Sequence, residues 1–151
     1  MTCRDFLLKR PNRDALEREV RFIRQQFLSK GLPRIKDVYI VLNDTSADDR
    51  GRHFAYYNER SRSIHFSPSM PSLPRRHRIA MIAHEFGHAA DFAYPRELSE
   101  FWEGWKRRDH DQVERDADLI AEWALGRPIG YTTPCLIQTL DRGIKRPRGL
   151  K

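Results

Sequence analysis

The sequence predicts a single α+β domain: a small mixed or antiparallel sheet packed on a central helix and a C-terminal helix that both carry candidate ligands. Three observations lead there. Apolar residues recur at helical spacing over 12–30, 72–92 and 113–125, while β-branched and aromatic residues crowd 37–42, 53–57 and 63–67. A length of 151 residues suits one domain with its own core. The domain is assigned to 1–140, and 141–151 to a basic tail of mostly Gly, Pro, Lys and Arg with too few apolar residues to order it.

Bulk properties narrow the setting. With 32% charged residues and a mean hydropathy of −0.74, the chain contains no apolar run of spanning length. Charges interrupt the short apolar run of residues 1–10, so no secretory core is expected there. Cys3 and Cys135 lie at opposite ends and make no disulfide framework, which suits a reducing, cytoplasmic setting. The net charge of +7 leaves two readings open: a surface and tail that bind nucleic acid or an acidic protein, or a solubility bias.

Along the chain, the first helix covers 12–30, where Leu16, Val20, Ile23 and Phe27 form one stripe and Gly31 and Pro33 stop it. Arg18, Arg21 and Arg24 lie off the stripe and read as a solvated face. Residues 37–42 read as a mostly buried strand, 43–52 as a polar loop, and 53–57 with 63–67 as a hairpin across a five-residue turn. His53 and His65 are read as strand residues rather than ligands. The edge of this hairpin is a candidate to receive an extended peptide, main chain to main chain; a purely structural hairpin is the alternative.

A rigid connection over 67–71 leads to a helix start at Ser72, Leu73 and Pro74, after which Ile79, Ile82, Ala83, Phe86 and Ala90 share a face. Arg75, Arg76 and Arg78 crowd that helix start, where the macrodipole disfavours cations; either an anionic partner or solvation accounts for them. Residues 95–108 place Leu98, Phe101, Trp102 and Trp105 on one stripe, read as core or as the lining of an apolar pocket. The helix of 113–125 ends at Gly126.

The central helix contains His84-Glu85-Phe86-Gly87-His88, a match to H-E-x-x-H. Residues four apart sit about 400° around the axis and about 6 Å along it, so both imidazoles project from one face toward a single ion. Glu85, about 100° from His84, lies beside such an ion, placed to take a proton from a water activated there. Gly87 costs about 1 kcal/mol relative to Ala inside a helix, which suggests close approach by another element.

Two histidines leave a zinc site short of ligands. Glu114 and Asp118 share a face of the following helix; laid across the first, it would bring Glu114 to the metal and Asp118 to the other ring N–H of a ligand histidine. Asp91, seven residues after His84, is the reserve ligand or acceptor. His110, four before Glu114, and Tyr131 are further candidates, as alternative ligand or oxyanion donor.

With H-E-F-G-H at 84–88, E-x-x-x-D at 114–118, a gap of 26 residues between His88 and Glu114 (114 − 88), and the hairpin just upstream, the span 53–126 resembles the gluzincin metallopeptidases, specifically the small ImmA/IrrE-like domain. Members often carry Asn near position 118, and many are fused to a helix-turn-helix that this sequence does not display. The resemblance implies a zincin-like fold, Zn2+ held by His84, His88 and Glu114, Glu85 as catalytic base, Asp118 behind a ligand histidine, and a protein substrate, with a regulatory protein as the candidate. The competing expectation is a basic nucleic-acid- or protein-binding module whose zinc site is structural or inactive.

Overall fold

The structure is a computed structural model that describes residues 3–46, 54–95 and 109–129, with side chains from Asp14 onward. It is an α+β arrangement of three helices and a three-stranded mixed sheet among these residues: α1 (Cys3–Leu28), β1 (Tyr39–Val41), β2 (Ala55–Asn58), β3 (Ser63–Phe66), α2 (Arg75–Ala93) and α3 (His110–Leu125). No helix among them is long and apolar enough to cross a membrane.

The expected stripe of α1 is buried, with Leu16, Val20, Ile23 and Phe27 all in the core. The helix begins at Cys3 rather than at residue 12, so Pro11 lies inside it. Its end is sharp because Gly31 adopts a left-handed φ of 82°, which costs a glycine little. A 3-10 turn over Pro33–Asp37 follows, unforeseen in the sequence, and buries Ile35.

Arg24 corrects the expectation of a solvated face. Its guanidinium donates to the carbonyls of Ile35 at 2.8 Å, Lys36 at 3.1 Å and Val38 at 2.9 Å, tying that turn to α1, while Arg18 and Arg21 are exposed. Arg78 corrects the reading of the α2 start in the same way. It donates to both carboxylate oxygens of Glu19, at 2.9 and 2.7 Å, and neither side chain exposes more than 11% of its surface. This fork clamps the start of α2 to α1, so Arg78 is neither solvated nor waiting for an anion. Arg75 remains 77% exposed.

The sheet order is β1-β3-β2, with β2 antiparallel to β3 and β1 parallel to it. The hairpin forms as expected, but its turn is one residue shorter, because Asn58 pairs with Ser63 and its Oδ1 accepts from the N–H groups of Arg60 and Ser61 at 3.0 and 3.2 Å. β1 contradicts the expectation of a mostly buried strand over 37–42: it spans three residues, with Tyr39 70% and Val41 38% exposed. Register with β3 puts Tyr39 and Val41 on the outer face with Ser63 and His65, and only Ile40 on the core side with Ile64. Ala55, Ile64 and Phe66 on the inner face pack with Phe86, Ile82 and Ile120.

α2 is preceded by a 3-10 turn over Met70–Ser72 and starts after Pro74, one turn later than the expected start near Ser72. Its buried residues run from Ile79 to Asp91, so it is covered on several sides: Phe27 of α1 meets Phe86 with ring centroids 5.6 Å apart, and α3 packs against it at Gly87. α3 starts one turn earlier than the sequence indicated, because Asp109 caps it by accepting from the N–H of Gln112 at 2.8 Å. Gly126, with φ of 71°, ends it where expected.

Gly87 explains how closely α2 and α3 approach. A Cβ built there would lie 2.1 Å from the carbonyl oxygen and 2.8 Å from the carbonyl carbon of Ala117, both backbone atoms. Only glycine leaves room for α3 at this separation.

Candidate metal centre

α2 presents His84 and His88 from successive turns, their rings 4.6 Å apart and nearly perpendicular. α3 crosses at Gly87 and Ala117 and supplies Glu114 one turn before that crossing. The three residues form one group whose potential ligand atoms all lie within 4.8 Å of one another, an arrangement that can hold a metal ion. Glu114 Oε2 is 2.7 Å from His84 Nε2, and the Glu114 oxygens are 3.3 and 3.4 Å from His88 Nε2. Ligands placed about 2.0–2.2 Å from a tetrahedral ion are about 3.3–3.6 Å apart, so the His88–Glu114 separation already fits and the His84–Glu114 one needs to open by less than about 1 Å.

Asp118 stands behind His84. Its Oδ1 is 2.6 Å from Nδ1 of that ring, and both groups are buried. A carboxylate there holds the Nδ1 proton and leaves Nε2 directed at Glu114, the tautomer a metal requires. Burial alone would push the His84 pKa down; the hydrogen bonds with Asp118 and Glu114 outweigh it and hold it well above the ordinary histidine value. Burial acts to raise Glu114, but its contacts with His84 and His88 pull it well below the ordinary carboxylate range. The cluster is thus held together by charge, with ionised carboxylates against an imidazolium, and a divalent cation would replace the Nε2 proton in that role.

Glu85 is 8% exposed, adjacent to His84 and about 100° from it on the helix, and is not a member of the metal-holding group. Asp91, the reserve ligand, is fully buried and also outside that group. His110 is exposed on the first turn of α3 and does not join the cluster. Tyr131, His53, the aromatic stripe at 98–105 and the basic tail lie outside the described residues.

A second polar cluster, on the outer sheet face, was not legible in the sequence. His65 stacks on Tyr56 at 4.6 Å, its Nδ1 is 2.7 Å from Asp44 Oδ2, and its Nε2 is 2.7 Å from Ser63 Oγ. The Tyr56 hydroxyl donates to the same Asp44 oxygen at 3.0 Å. Pairing of Tyr56 and Val41 with His65 across β3 puts these side chains on one face, a consequence of register that spacing alone does not reveal. The network fastens the segment after β1 to the hairpin.

The site therefore defines a class: an α+β domain with a two-histidine, one-carboxylate centre between two helices. Comparison takes it no further, since no protein-family model, no curated protein and no solved structure matches this chain.

Proposed function

We propose that this chain is a zinc-dependent metallopeptidase of the gluzincin kind, with a zincin-like, ImmA/IrrE-like domain that hydrolyses peptide bonds of a protein substrate. The observation that carries the reading is the convergence of His84, His88 and Glu114, with Asp118 on the far nitrogen of His84 and Glu85 alongside but outside the ligand group. Three protein ligands leave a position open for chemistry, whereas closed structural sites use four, and among the described residues the metal-holding group consists of His84, His88 and Glu114.

Zinc bound there would polarise the scissile carbonyl and make water acidic enough to be deprotonated near neutral pH. Glu85 accepts that proton from the attacking water and returns it to the departing amine. Asp118 keeps the His84 ring from turning and its Nε2 available. Gly87 and Ala117 set the distance between the two helices, and so the reach of Glu114.

Elemental analysis of the purified protein beside Glu114→Ala tests the centre: about one zinc per chain is expected, lost or much weakened in the variant. Absence of zinc in the parent after reconstitution at neutral pH refutes the proposal. Glu85→Gln keeps the metal and loses peptide cleavage; a metal-loaded Glu85→Gln protein that still cleaves removes Glu85 from its role.

A further inference from the structure

The metal-facing side of α2 carries more than ligands. Taking His84 as origin, His88, Phe92 and Glu85 lie at about 40°, 80° and 100° around the axis. Phe92 therefore falls between His88 and Glu85 in direction, one turn or about 6 Å beyond His88. It is 39% exposed, although the same helix buries Phe86 completely. Tyr57 of β2 stacks on it with ring centroids 6.0 Å apart and planes inclined by 28°.

The origin of this contact lies in sheet register. Tyr57 and Ala55 share one face of β2, and Ala55 is buried in the core beside α2. β2 is an outer strand of the sheet, bonded to β3 along one edge. The two rings thus close the corner between an outer strand and the metal helix. Tyr57 packs on the core and is partly covered, while Phe92 keeps over a third of its surface open.

We infer that Tyr57 and Phe92 form an apolar seat that selects an aromatic or large aliphatic substrate side chain next to the scissile bond. The inference rests on the metallopeptidase reading and adds the class of residue it prefers. A side chain of that size spans about one helical turn, the axial offset between His88 and Phe92. Its insertion would cover the open part of the Phe92 ring, and offset or tilted aromatic packing of the kind already present between Tyr57 and Phe92 would extend to a third ring. Burial raises the Tyr57 phenol, with Arg62 opposing and Glu59 adding to the shift, so the seat is uncharged at neutral pH.

Phosphinic dipeptide isosteres, which bind zinc through the phosphinate, supply the test. Four compounds are needed: benzyl or methyl on the N-terminal side, and benzyl or methyl on the C-terminal side. With zinc-loaded protein, titration calorimetry should show one benzyl compound binding about tenfold or more tightly than its methyl counterpart. In Phe92→Ala that ratio should fall below about threefold while zinc content and affinity for the methyl compound are retained. Tyr57→Ala should act in the same direction, and Tyr57→Phe should preserve the ratio. If Phe92→Ala lowers the thermal midpoint, Phe92→Leu keeps most of the volume and should give an intermediate ratio.

Benzyl-to-methyl ratios near one on both sides in the parent would overturn the seat, as would a parental ratio retained in both alanine variants. Zinc and phosphinate binding without side-chain discrimination would refute the seat alone. A parent that takes up no zinc would remove the metal centre and the seat with it.

Discussion

Replacing Gly87 by alanine isolates the contact that makes the centre. The new Cβ would stand 2.1 Å from the Ala117 carbonyl oxygen, against an ordinary contact of at least 3.4 Å. The obstructing atoms are backbone, so no rotamer change relieves them, and α3 must move by about 1 Å or the two helices must separate. Overpacking of this kind costs about 1–3 kcal/mol, against about 1 kcal/mol that alanine gains over glycine in helix propensity. Glu114 precedes Ala117 by one turn and moves with it, while metal sites tolerate only about ±0.2 Å in ligand distance. The expected outcome is a metal-free protein less stable by up to about 2 kcal/mol in urea unfolding and a zinc affinity reduced at least about tenfold in chelator competition. A Gly87→Ala protein as stable as the parent and binding zinc equally well would show that α2 and α3 do not meet at this separation.

Other perturbations probe separate parts. Asp118→Ala removes the acceptor from His84 Nδ1 and should weaken zinc binding by about 10–100-fold with the three ligands intact; unchanged affinity would deny Asp118 its orienting role. Glu19→Ala strands the Arg78 guanidinium between α1 and α2 and should destabilise the fold by about 2–3 kcal/mol, read by chemical denaturation; a loss below about 0.5 kcal/mol would mean the clamp is no stronger than a surface pair. For pH, hydrogen bonding from Ser46 is the largest influence on Asp44; burial opposes it, His65 and Tyr56 add to it, and the carboxyl falls to about 2. Because the folded value lies below the unfolded one of about 3.9, the stabilisation is present above about pH 4 and fades as pH falls toward 2. Asp44→Asn should therefore differ from the parent in unfolding midpoint at pH 6 and converge with it near pH 2; a gap constant across that window would contradict the Asp44 network.

Much of this protein can be read in one dimension because the relevant information is periodic. The i, i+4 spacing of His84 with His88 and of Glu114 with Asp118 fixes each pair on a helix face, and the stripes of α1 and α2 specify what those helices bury. Gly31 and Gly126 mark helix ends because their positions demand a left-handed φ. Gly87 signals close approach because nothing else justifies a glycine within a buried helix turn. The partner in that approach, Ala117, carries no signal at all.

What only the tertiary structure decided are relations between elements. Arg24 and Arg78 look like any surface arginine until the 3-10 turn and α1 bring carbonyls and a carboxylate to them. β1 has the composition of an interior strand, and Tyr39 and Val41 are exposed because register with β3 turns them to the outer face of the sheet. His65, Asp44 and Ser63 meet through register, and Tyr57 meets Phe92 because β2 runs beside the end of α2. Local spacing determines which side chains share a face of one element, since the backbone repeat is fixed by sterics. Which faces then meet is set by packing summed over the whole core, and no short stretch of sequence contains that sum.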